Sequence, residues 1–251
     1  MQLPADSLLI LCLSFFLIAS VYSSVGFGGG SSYIALLSLL SLEFYFIRSN
    51  ALICNLVVVS GSTYILFKEK FINFKKFLPF VLSSIPMTFI GALFKLDENI
   101  FFILLAFTLI LASIFLMHKA IRTQKHDFKN LSYPKHVSLI IGSSIGLLSG
   151  LVGIGGGVFL APILNFMKWD KPIKIAFLSA FFIFVNSISG LSGLLISGTF
   201  QTDLRSSLCL IFAVFLGGQI GIRFSIKMFS SKVIIIVTAL LIMFVGLKML
   251  I

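Results

Sequence analysis

Residues 23–32 read SSVGFGGGSS and residues 150–159 read GLVGIGGGVF, so V-G-[FI]-G-G-G occurs twice, 127 residues apart, inside apolar sequence. Gly28, Gly29 and Gly30, and likewise Gly155, Gly156 and Gly157, permit dihedrals that other residues resist and leave backbone N–H groups open. Each stretch precedes an apolar segment with helical character. A helix N-terminus carries partial positive charge and unpaired donors, which favours anions. Two such ends predict an anion-binding site that needs no buried Lys or Arg. Asn55 and Asn186, which match between the halves after a four-residue slip, are costly in lipid and are expected to complete the substrate shell. The bland alternative is a close-packing or kink device. A dinucleotide site would need GxGxxG spacing between a strand and a helix, which is absent.

The elements that position these glycines are membrane segments. The 251 residues are 59% hydrophobic and 11% charged, with mean hydropathy +1.14, whereas a soluble domain carries about 25% charge. The apolar segments run at about 7–24, 28–42, 49–67, 77–95 and 99–117, then 136–153, 155–167, 173–195, 206–222 and 232–250. Residues 1–117 are read as an N-terminal repeat, 118–135 as a basic cytoplasmic linker and 136–251 as a C-terminal repeat. The segment before it, MQLPAD, lacks Lys and Arg, so the first segment reads as retained rather than as a signal peptide.

Residues 28–42 as helix span roughly 22 Å, against a hydrocarbon core of about 30 Å. The segments flanking the glycines therefore re-enter, form one broken span or cross imperfectly. Cation placement favours a same-side return for each pair. The loops 68–76, 118–136, 168–174 and 223–232 then lie together and hold 15 of the 19 Lys and Arg, leaving Arg48, Lys95, Arg205 and Lys248 on the other side. Each half then crosses an odd number of times and the second is inverted relative to the first. The fold class expected is all-α and polytopic, with two inverted repeats, each a Gly-rich broken or re-entrant helix pair plus three transmembrane helices. The protein is placed in the cell membrane with both termini outside. The net charge of +11 is assigned to these loops, not to nucleic-acid binding.

Other chemistry is thin. Cys12, Cys54 and Cys209 are scattered singly, and His118, His126 and His136 fall in the central polar stretch. No metal site or cofactor is expected. An intramembrane hydrolase needs a base beside its nucleophile, and no His lies in a span, so no enzyme is expected. Glu43, Asp170 and Asp203 lie near segment ends and read as solvated carboxylates.

With these motifs in view, the chain resembles the TauE/SafE family of sulfite-exporter-like membrane permeases over nearly its whole length. The resemblance is carried by GLVGIGGGVFLAPIL at 150–164, with Pro162, and AFLSAFFIFVNSISGLSG at 176–193, with Asn186 and Gly190. Pro162 and Gly190 are taken as structural positions. The first-half copy, VGFGGGSSYIALL, has Ala35 where the second has Pro162. The resemblance implies a permease for sulfur-containing anions such as sulfite or an organosulfonate. The function expected is a secondary transporter or facilitator of a small anion working by alternating access. A passive anion channel and a non-transporting assembly subunit are the alternatives. The partners expected are the small anionic substrate and the lipid bilayer, with a homodimer left open and no nucleic acid.

Overall fold

The computed structural model describes residues 5–24, 26–38, 40, 42–68, 74–121 and 133–227, together with 236, 239–240, 242–244 and 246–247. The secondary structure of the described residues is helical throughout. The helices are α1 (Ala5–Ser23), α2 (Gly30–Ser38), α3 (Phe44–Lys68), α4 (Phe74–Leu93), α5 (Glu98–Ile121), α6 (Lys135–Val152), α7 (Gly157–Phe166), α8 (Pro172–Ile196) and α9 (Leu204–Lys227). Their bounds follow the apolar segments closely. The linker expected at 118–135 is reduced, because α5 continues to Ile121 and α6 begins at Lys135; residues 122–132 lie outside the described residues. Most of the tenth segment lies outside them too. Its described part packs inward, with Ala239 and Ile242 buried and the Ser113 hydroxyl donating to the Ala239 carbonyl at 2.7 Å.

Among the described residues, six helices are long and apolar enough to cross a membrane: α3, α4, α5, α6, α8 and α9. Rows of apolar side chains face outward, such as Leu9, Ile10, Leu13 and Leu17 on α1 and Leu208, Phe212 and Phe215 on α9. Exposed surface of this kind is stable against lipid tails and not against water. α2 and α7 have 9 and 10 residues and run about 14–15 Å as helices, half of the hydrocarbon core.

The helix pairings repeat when the halves are exchanged. α4 packs along α6, and α1 packs along α9; α4 also touches α8, and α3 also touches α9; α2 lies on α3, and α7 on α8; α3 and α8 pair at the centre. Renaming each helix of one half as its counterpart in the other returns the same set. Two of these seams are made by glycine. Gly142, Gly146 and Gly150 lie against the main chain of Phe80, Ser84 and Thr88, and Gly217 and Gly221 against that of Phe16 and Ser20. Small residues four apart let helix backbones approach this closely.

Cross-helix contacts sort the helix ends into two groups. At one end, Phe44 meets Phe101 edge-on and the Gln201 amide donates to Ser49 Oγ at 3.1 Å. At the other, the Tyr133 hydroxyl donates to the Met167 carbonyl at 2.7 Å, and Lys76 donates to the Trp169 carbonyl at 3.3 Å while sitting 4.6 Å from the Trp169 ring centre. Tyr133 precedes α6 and Met167 follows α7, so the start of α6 and the end of α7 lie at the same end.

Two of the three segment-end carboxylates, Asp170 and Asp203, have local partners. Asp170 pairs with Lys174 at 3.8 Å. The Glu43 backbone carbonyl accepts the Ile47 amide in the first turn of α3. Asp203 caps α9, its Oδ2 accepting the Ser206 amide at 2.9 Å and the Ser206 hydroxyl at 2.7 Å. The bonds from Ser206 hold the Asp203 carboxyl below its ordinary value. A carboxylate whose pKa falls on folding adds stability above its unfolded pKa and loses it as pH falls through the folded one. Asp203→Ala should therefore lower the melting temperature at pH 7. The gap to the parent should close progressively below roughly pH 4, measured by thermal unfolding in detergent.

Candidate functional site

The two glycine stretches match at two positive-φ positions and differ at a third, where Gly155 has a φ of 72° and its counterpart Gly28 is not at positive φ. Each opens with a glycine at positive φ directly after a long helix, Gly26 at 82° and Gly153 at 73°. Each then caps a short helix with another, Gly29 at 89° and Gly156 at 77°. The Gly29 carbonyl accepts the Ser32 and Tyr33 amides at 3.0 Å, and the Gly156 carbonyl accepts the Phe159 and Leu160 amides at 3.1 Å. A side chain at either cap would be strained, because an L-residue crowds its own carbonyl there. Residues 26–34 and 152–162 are all buried.

Both caps lie near mid-length of the central pair. Asn55, halfway along α3, is clamped between Gly28 and Gly30: a Cβ on Gly28 would fall on its Oδ1 and a Cβ on Gly30 on its Nδ2. Asn55 Oδ1 accepts the Gly30 amide at 2.8 Å. In the second half, a Cβ on Gly157 would reach Ile183 Cδ1 at 2.5 Å and the Ser179 carbonyl at 2.8 Å. A Cβ on Gly155 would lie 2.7 Å from Ile183 Cγ2 and 3.1 Å from Ser187 Oγ.

Ile183 thus occupies against Gly157 the place that Asn55 occupies against Gly30. The match of Asn55 with Asn186 is corrected by this packing. Asn186 lies one turn further along α8, where its Oδ1 accepts the Thr88 hydroxyl at 3.0 Å. Thr88 Oγ1 also lies 2.9 Å from the Gly146 carbonyl, so Asn186 belongs to a junction of α4, α6 and α8. Pro162 is buried inside α7. Gly190 faces Leu52 and the Thr88 methyl at 3.4–3.7 Å from an added Cβ, which is ordinary contact.

A second correction concerns Arg48. Placed by the loop-charge count among the external cations, it lies instead inside α3 and is 1% exposed. α3 begins at Phe44, five residues before the apolar segment, because the aromatic run FYF supplies a first turn that packs on α5. Arg48 Nη2 donates to the Gly150 carbonyl near the end of α6. Its Nε and Nη1 find no acceptor among the described residues. Gly153 lies directly over the Arg48 stem, where an added Cβ would meet Cγ at 2.8 Å. In the other half Gly26 lies against the main chain of Ala176 instead of a side-chain stem. The anion site was expected to need no buried cation; a buried cation stands beside the second glycine loop.

Further buried polar atoms without a partner among the described residues line the loops: the Tyr33 hydroxyl and Asn55 Nδ2 at the first, and Ser149 Oγ and Ser187 Oγ at the second. Tyr33 Oη lies 2.9 Å from the Cβ position of Gly29, and Ser149 Cβ 3.1 Å from that of Gly156. A buried polar group left unpaired costs on the order of 1–3 kcal/mol. Each such group calls for a partner other than the described residues, such as a water or a ligand. The hydroxyls were legible only as polar residues in apolar segments; their convergence depends on the fold.

The remaining candidate chemistry is dispersed. Cys12, Cys54 and Cys209 are free thiols. Among the described residues no group of three or more His, Cys, Asp or Glu is placed to hold a metal. His118 and His136 are exposed at helix ends, and His126 lies outside the described residues.

Among the described residues, six helices long and apolar enough to cross a membrane, with two half-length and largely buried helices between them, define a multi-pass membrane protein. The chain belongs to the family described as Sulfite exporter TauE/SafE, whose model matches residues 11–249. It is similar to the probable membrane transporter protein y4hK of Sinorhizobium fredii, 30% identical over 241 residues that cover 96% of this chain and 97% of that one. It is also similar to the probable membrane transporter protein YunE of Bacillus subtilis, 28% identical over 262 residues covering 94% and 95% of the two chains. No solved structure matches it. Family and relatives carry transporter names, not enzyme names.

Proposed function

We propose that this protein is a carrier of a small anion, with a sulfur oxyanion such as sulfite, or an organosulfonate, as substrate. The anion is held between the two glycine loops by backbone N–H groups of the α2 and α7 caps and by Asn55, with neighbouring hydroxyls completing its shell; Asn186 acts from the adjoining α4–α6–α8 junction. Two inverted halves rock around this site and expose it to one side at a time. The observation that carries this reading is the matched pair of positive-φ glycine caps, buried at mid-length of α3 and α8 among polar atoms without partners. The exchange of helix pairings between halves supports the repeat. The opposite starting ends of α1 and α6 support its inversion: α1 runs alongside α9 from the Gln201 end, and α6 alongside α4 from the Trp169 end. Clustering of Lys68, Lys76, Lys135, Lys168, Lys171 and Lys174 at the Trp169 end supports a cytoplasmic position for it. The family name supplies sulfite as the first substrate to try.

Proteoliposomes loaded with labelled sulfite and chased with unlabelled sulfite, methanesulfonate, sulfate or acetate test the proposal. A carrier gives protein-dependent counterflow with a preference among these anions; linear, unsaturable flux would make it a channel. Gly156→Leu should abolish counterflow while the protein still reaches the membrane, because the side chain would enter at 77° φ against Phe182 and Ser149. Unchanged flux in that variant would remove the loop from the mechanism.

A further inference from the structure

We infer that Arg48 is the fixed cationic half of an oxyanion-binding site on the second glycine loop. This deepens the anion-carrier reading and rests on it. Arg48 is buried at 1% exposure, and one carbonyl, that of Gly150, accepts from its Nη2. Nε and Nη1 have no protein acceptor among the described residues, and the ion pair found among those residues joins Lys174 and Asp170 elsewhere. A buried guanidinium without a counter-charge is strongly unfavourable, and its natural partner is a group with several acceptor oxygens and a negative charge. The surroundings suit such a group. Gly153 presses its Cα face on the Arg48 stem, and its amide bonds the Ser149 carbonyl at 2.7 Å. Ser187 Oγ lies 3.1 Å from the Cβ position of Gly155 and Ser149 Cβ 3.1 Å from that of Gly156, and neither hydroxyl has a partner among the described residues.

The charge is single. At the matched place over Gly26 stands Ala176, so the first loop offers neutral donors and the second a full positive charge. The site is therefore polarised along the pathway, with its cation toward the end where α3 begins. A carboxylate, sulfite or sulfonate presents the oxygens that Nε and Nη1 lack; chloride, with no directional oxygens, fits poorly.

The test measures thermal unfolding of the full chain in detergent against sulfite, methanesulfonate, acetate and chloride, alongside sulfite counterflow. Parent protein, Arg48→Gln and Arg48→Lys are compared. The expected result is a concentration-dependent rise in melting temperature of the parent with an oxyanion and not with chloride. In Arg48→Gln the oxyanion affinity should fall by roughly 30-fold or more, as for loss of one partner of a buried charge pair. Arg48→Lys keeps the charge but not the fork of donors, and should bind with intermediate affinity. It also serves if Arg48→Gln does not fold. An affinity equal to the parent's in the variants that fold, with counterflow intact, would overturn the role of Arg48 and leave the carrier reading standing. Equal stabilisation by chloride would overturn the oxyanion assignment. Neither stabilisation nor flux with any anion in the parent would overturn the carrier reading, and this inference with it.

Discussion

Gly28→Ala should end transport and destabilise the fold, and adding Asn55→Ala should recover part of the stability without recovering transport. The Gly28 Cβ would be built onto Asn55 Oδ1, whose amide carbon is 2.8 Å away and whose Cα is 3.2 Å away. The amide cannot swing aside, because Gly30 closes its other face and donates to the same oxygen at 2.8 Å. Overpacking of this sort costs about 1–3 kcal/mol, and the lost hydrogen bond about 0.5–1.5 kcal/mol more. Truncating Asn55 removes the overlap and leaves the Cα at 3.2 Å as the nearest obstacle, which a small shift relieves. A double-mutant cycle on melting temperature in detergent should therefore show strong coupling, on the order of 2 kcal/mol. Flux should stay lost in all three variants, since each disturbs the α2 cap and the Asn55 amide that holds it. Additive stabilities would mean that the clamp does not exist.

That clamp illustrates how much the chain discloses before it folds. The repeat of V-G-[FI]-G-G-G and the apolar segments around it disclosed the positions of the nine described helices, the short α2 and α7, and the places of both caps, because glycine runs and membrane-length hydrophobicity are local signals. The partner of each glycine is not local. Asn55 and Asn186 look alike in sequence, yet the register of α3 on α2 brings one to a glycine, while that of α8 on α7 brings Ile183 there and leaves the other on Thr88. Arg48 was hidden for a related reason. It precedes the apolar run by one residue, so a hydropathy boundary puts it outside, and packing of Phe44 on Phe101 draws the helix start outward and the arginine inward. A cation within one turn of a segment boundary is the case that hydropathy decides worst.

Gly150→Leu should have the largest effect on folding of any substitution considered, and the reason is steric, not conformational. Gly150 has an ordinary helical φ, but its Cβ would fall on the Thr88 carbonyl and lie 2.9 Å from the Ala92 amide. Both obstacles are main chain, so no rotamer change relieves them, and α4 and α6 must part. Parting breaks the hydrogen bond from Thr88 to the Gly146 carbonyl and strips the Gly150 carbonyl from Arg48. Overpacking together with the lost bonds should exceed about 4 kcal/mol, enough to remove most folded protein from membranes, read as the monodisperse fraction after detergent extraction. Gly221→Leu should fail alike, because it meets Ser20 and Ser23 at the counterpart seam of α1 and α9. Gly198→Ala is the control: its φ of 69° makes the backbone strained, but nothing lies within 4 Å, so the loss should be only about 1–2 kcal/mol. If Gly150→Leu folds as well as Gly198→Ala, the helices are not in backbone contact. If it fails as expected, the seam that joins α4 to α6 and the carbonyl that holds Arg48 are one structure, and neither can be altered without the other.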